Sequence, residues 1–294
     1  MSRLLDAGLR KLFKSSVFYV GLAFMVGFPA FVVSVRYIDM IHYPEYDIEP
    51  MDGFLNAGLL FIGFAAAVLI SLFVGREYSD GVMRNKLVVG HSRASIYLSN
   101  LIVSTVGGFI LQMAYVIAMY LFCRVFFGAF AISNKEIVKL QLLGLCLTAA
   151  YSAIFTLLAM LIHSKAAAAI VTMITAMVLF VYGIDIYQTI ALERFFNNPE
   201  QNENTFIALD VSEEEPGEEQ DEEYYVDEYI PEPLTGTKRV IYEFLYDFLP
   251  SCQAAQISEC VLPDAWDRFV LYDCGIVALT SMAGLLLFRR KDLK

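Results

Sequence analysis

The 294-residue chain lacks the common signatures of catalysis and nucleotide binding. No GxxxxGK(S/T) loop occurs, so the chain has no such cradle of backbone N–H groups for a triphosphate. No HExxH, GxSxG or paired CxxC occurs, which removes the zincin, nucleophile-elbow and dithiol patterns. The three histidines, His42, His91 and His163, fall in separate loops without metal-ligand spacing. No catalytic residue, metal, cofactor or nucleic-acid partner is expected. Nor does the N-terminus read as a cleavable signal peptide, because the apolar run after MSRLLDAGLRKLFK is too long and has no small-residue cleavage site.

Basic residues are missing from one long stretch. Residues 200–232 hold fourteen acids and no Lys or Arg, and without those acids the net charge of −11 becomes about +3. The acidity therefore belongs to one segment, whose low hydrophobicity and like charge predict disorder. Cysteines are few. Cys123, Cys146 and Cys274 sit in or beside apolar runs and read as small core hydrophobes. Cys252 and Cys260 share one segment between spans, where a disulfide is one option if that side is oxidising.

What the chain has is apolar length: 57% of its residues are hydrophobic, against about 45–50% for a soluble domain. The excess is gathered in runs of about 20 residues, enough to cross a hydrocarbon core of ~30 Å. We read an all-α polytopic membrane protein with six transmembrane helices, at about Ser16–Val35, Phe54–Val74, Ile96–Cys123, Val138–Ile162, Ala166–Thr189 and Phe269–Phe288. Pro29 is an expected kink. Ahead of the first span, Leu5, Leu9, Leu12 and Phe13 recur at helical spacing over 1–15. That reads as an amphipathic helix on the membrane surface; a frayed cytoplasmic end of the first span is the other reading.

Four stretches are basic: the N-terminus (Arg3, Arg10, Lys11, Lys14), the loop after the second span (Arg76, Arg84, Lys86, Arg93), the turn with His163 and Lys165, and the RRKDLK end. Alternation across six spans puts all four on one side, which the positive-inside rule makes the cytoplasm. The weakly basic loop at 124–137 fits that orientation less well. Residues 193–268 then form a large outer loop. In it, Ile241, Phe244, Leu245 and Phe248 make the apolar stripe of a short interfacial helix closed by Pro250, and Trp266 sits where an interfacial anchor would. Polar residues inside the spans are sparse. Gln112, Asp185 and Asp273 are the candidate pathway residues, although both acids lie near outer span ends, where water would make them unremarkable.

The most informative stretch is residues 75–100, GREYSDGVMRNKLVVGHSRASIYLSN. Gly81 is a candidate helix stop. VMRNKLVV is long enough for about two helical turns, Gly90 is the next stop, and Ser92 is a candidate N-cap for a new helix. A helix this short is marginal alone and gains from docking. The bland reading is a loop that only fixes topology.

From Glu77 to Asn100 the stretch resembles the cytoplasmic loop of bacterial ABC exporter permeases of the type-2 membrane family. The matching positions are Glu77, Gly81, Arg84, Asn85, Lys86, Gly90, Ser92, Arg93, Tyr97, Leu98, Ser99 and Asn100. The GLLLFRRKDLK ending, the FLPSCQ stretch at 248–253 and the six-span layout are similar too, while the acidic insertion departs from the family. The resemblance implies a coupling helix within the loop 75–95, seated in a groove of a separate ATP-binding subunit. It further implies a dimer of membrane subunits, homo- or heteromeric, in the bacterial plasma membrane, with ATP hydrolysis on the partner. Val82, Met83 and Leu87 are then the expected apolar docking contacts, and Arg84, Lys86 and Arg93 the charges that orient the partner. A reading of another class is a non-transporting scaffold or sensor whose acidic outer loop captures a cationic ligand.

Overall fold

The computed structural model describes residues 1–42, 51–128, 130–196, 234–263 and 265–290. The acidic stretch 200–232, expected to be disordered, and the last four residues of the basic tail lie outside that set. The described residues form ten α-helices and no strand: α1 (Ser2–Phe13), α2 (Ser16–His42), α3 (Gly58–Ser79), α4 (Val82–Val88), α5 (Arg93–Phe126), α6 (Asn134–Leu161), α7 (Lys165–Phe196), α8 (Gly236–Phe248), α9 (Pro250–Ser258) and α10 (Trp266–Arg290). A 3-10 turn, Met51–Phe54, precedes α3.

Six of these helices, α2, α3, α5, α6, α7 and α10, are long and apolar enough to span a membrane, and the protein is a multi-pass membrane protein. Most overrun the expected spans, and α2 runs unbroken through Pro29. A helix need not end where the hydrocarbon ends, because its backbone bonds stay satisfied in the headgroup layer. The helices α3, α5 and α6 form the centre, with more than half of their most apolar windows buried; α2, α7 and α10 lie outside, with roughly a fifth buried.

Lipid tails are as apolar as leucine, so burial of oily surface does not drive such helices together; close packing at small residues and buried hydrogen bonds do. The α5–α6 contact follows this rule. Gly108 faces Thr148 and Ser152, and Thr148 Oγ1 donates to Gln112 Oε1 at 2.7 Å.

The first helix is amphipathic, as expected, and its apolar face has a partner within the chain. It packs on α5 through Leu4, Gly8 and Leu12, with Gly8 against Val103, while Phe13 stays exposed. The expected short helix closed by Pro250 is α8, and a second helix follows it. In α8, Ile241 and Phe244 are about half exposed; after Leu249, Pro250 opens α9 at its first turn, where a missing N–H costs nothing. Residues Pro250–Ile257 of α9 are all buried, and the helix packs against α3, α6 and α7.

That helix also decides the cysteines, which carry no disulfide. Cys252 Sγ donates to the Gly183 carbonyl at 3.3 Å, and Cys260 Sγ accepts from Asn56 Nδ2 at 3.3 Å. Eight residues of mostly helical chain span ~12 Å, too far for a disulfide, whose Cα atoms sit within about 7 Å.

Candidate functional site

Basic residues of α1 and α4 meet at one end of the bundle, on the carboxylate of Glu77. Glu77, in the last turn of α3, is only 1% exposed. A buried carboxylate requires cations and donors, and three helices supply them. From α4, Lys86 Nζ donates to both carboxylate oxygens at 2.8 and 2.9 Å. From α5, Asn100 Nδ2 donates to Oε2 at 3.1 Å. From α1, Lys11 Nζ stands 3.5 Å from Oε1. Burial pushes the Lys11 ammonium below the usual lysine range, and the Glu77 charge partly offsets that. Next door, Tyr78 donates its hydroxyl to the Met160 carbonyl of α6 at 2.6 Å. One turn of α3 therefore fastens α1, α4, α5 and α6.

Backbone geometry sets the ends of α4. Gly81 adopts φ +67, closing α3 and opening α4 in one residue. At the other end Gly90, φ +94, donates to Leu87 O at 2.9 Å and His91 N donates to Lys86 O at 3.1 Å, a Schellman closure. Ser92 Oγ then accepts from Ser95 N at 3.2 Å and caps α5. Gly81→Val forces a β-branched residue into the left-handed region, which costs about 1–3 kcal/mol. We expect amide hydrogen exchange over residues 82–89 to speed up in that variant while the centre of α3 keeps its protection. Unchanged exchange over 82–89 would show that the turn does not hold α4.

Seven residues make two turns, and the inward face of α4 is taken by Met83 and Lys86. Met83 is 2% exposed and approaches Asn100, while Val82 and Leu87 are half-buried. Of the expected docking set, Met83 is turned into the bundle and Val82 and Leu87 are partly covered; the most exposed apolar residues here are Val88 and the cap Val89, 78% and 76% exposed, beside exposed Arg84 and Asn85. Of the expected charges, Lys86 pairs with Glu77 within the chain. Arg93 Nη1 donates to the Phe288 and Arg289 carbonyls at 3.3 Å, where a cation meets the negative end of α10. Arg84 keeps an outward position.

Lys11 is the member that sequence reasoning missed. Its signal was present, since Leu4, Gly8, Lys11 and Leu12 share one helical stripe and a lysine inside a buried stripe needs an anion.

The candidate pathway residues are not brought together. Asp185 is exposed on α7, Gln112 is tied to Thr148, and Asp273 is 1% exposed inside the bundle rather than at water level. Neither Asp273 oxygen nor Gln112 Nε2 has a hydrogen-bond partner among the described residues.

No protein-family model matches the chain, and no curated protein matches it.

Proposed function

We propose that the chain is the membrane-spanning permease subunit of an ATP-driven exporter in the bacterial plasma membrane. Two membrane subunits work together, each coupled through α4 to a separate ATP-binding subunit that carries out hydrolysis. The observation that supports this reading most is the mounting of α4. A helix of seven residues is too short to persist alone, yet here glycine turns bound it and the buried Lys86–Glu77 pair keys it to α3. Its outward face, Arg84, Asn85, Val88 and Val89, is exposed. A partner gripping that face cannot shift α4 without moving α3 and α5 or breaking the ion pairs around Glu77. For ATP to drive transport, the partner must bind two arrangements of this end with different affinity.

The test is co-purification from membranes in mild detergent. Wild-type chain is expected to retain an ATP-hydrolysing subunit. The Arg84→Glu/Val89→Asp variant, altered only at exposed positions, is expected to lose it by about tenfold or more while eluting as wild type does. If no ATPase accompanies either protein, the exporter reading fails, and the acidic segment 200–232 becomes the place to seek function as a scaffold or sensor.

A further inference from the structure

Between α2 and α3 runs an open apolar groove of about 500 Å³. Val17, Val20 and Phe24 form one wall; Ala65, Val68 and Leu72 form the other. It begins at Ser16, at the basic end of the bundle. Two cations stand there. On α3, Arg76 continues the stripe of Ala65, Leu69 and Leu72 one turn beyond the groove, since residues four apart stack on one helix face. On the other side Lys14 lies two residues before Ser16, at the elbow between α1 and α2. Neither side chain makes an ion pair among the described residues.

We propose that this groove binds an anionic phospholipid, with an acyl chain lying between α2 and α3 and the headgroup phosphate held between Arg76 and Lys14. The volume falls within the range of small-molecule sites, and its walls offer a chain nothing to hydrogen-bond. Basic residues at the membrane boundary attract anionic headgroups, with about 1 kcal/mol for each cation as the usual scale. Charge also argues against a second copy as the occupant. A two-fold axis along the membrane normal would bring the same groove, with its own Arg76 and Lys14, to the same level, setting like charges face to face. The inference rests on the groove and its cations and does not depend on the exporter reading.

The full chain in phosphatidylcholine nanodiscs, doped with a phosphatidylglycerol carrying a photoreactive acyl chain, provides the test. Adducts are expected on peptides containing residues 16–24 and 61–72, and an equally reactive phosphatidylcholine is expected to label them much less. Arg76→Gln and Lys14→Gln are each expected to lower phosphatidylglycerol labelling by about five-fold. Ala65→Phe, which fills the groove, is expected to abolish it. Val20→Trp, at a position 70% exposed, blocks the same space without touching the core and gives the same readout if Ala65→Phe fails to fold. Equal labelling by both lipids, or labelling indifferent to all four substitutions, overturns the proposal. So does a spontaneous disulfide between chains carrying Val20→Cys, which would mark a second copy as the occupant.

Discussion

Glu77→Ala is expected to lower the stability of the bundle by about 3 kcal/mol, toward the low end of what removing one partner of a buried ion pair costs. The substitution deletes the carboxylate that pairs with both lysines. Lys86, whose side chain is 13% exposed, is left close to Lys11, at 28%. Both have long stems and can bend partly toward water, which keeps the cost from the top of that range. Thermal unfolding in detergent measures the loss. Hydrogen exchange should also show α1 and α4 opening before the centre of α3. Lys86→Met alone leaves Glu77 with Lys11 and Asn100, so a smaller loss is expected. In the double variant the two losses should fall short of additivity, because each substitution removes the same pair. A Glu77→Ala protein that unfolds at the wild-type temperature, or additive losses in the cycle, would mean the cluster does not hold this end together.

The second large effect is expected at Gly284→Leu. Gly284 of α10 lies directly against the ring of Tyr97 on α5, with no room for a side chain between them. The ring cannot step aside: it is fully buried, and its hydroxyl donates to the Thr280 carbonyl at 3.4 Å. Overpacking of this kind costs about 1–3 kcal/mol. It would also pull α10 from the place where Arg93 meets the carbonyls of Phe288 and Arg289. Gly275→Leu on the same helix is the matched comparison, since nothing lies within 4 Å of the position its Cβ would take. We expect Gly284→Leu to unfold several degrees early, Gly275→Leu to unfold with wild type, and Tyr97→Ala to restore part of the loss in the Gly284→Leu background. Equal behaviour of the two leucine variants would remove the argument.

Membrane segments were readable because their signal is length. A run of about 20 apolar residues has few stable fates other than a spanning helix, and all six expected spans are helices long and apolar enough to cross. The ends of α4 were readable for a local reason as well. Gly81, Gly90 and Ser92 each act on their own backbone neighbourhood, so their roles follow from residues a few positions away. The faces were not readable. Of Val82, Met83 and Leu87, expected as docking contacts, Met83 is buried, because Glu77 between the helices draws Lys86 inward and Met83 turns with it. The burial of Asp273 was hidden in the same way, because position along a span does not say which way a side chain faces.

By itself, then, the sequence determined the number of spanning helices, the gathering of positive charge at alternate loops and the break points around α4, all of which depend on local composition and backbone conformation. Tertiary structure alone decided which residues meet: Lys11 and Lys86 on Glu77, Tyr97 against Gly284, α9 inside the bundle, and Cys252 apart from Cys260. Those contacts join helices far apart along the chain. Their partners are chosen by close packing and by the need to satisfy buried charge, neither of which leaves a periodic trace in the residues that supply them.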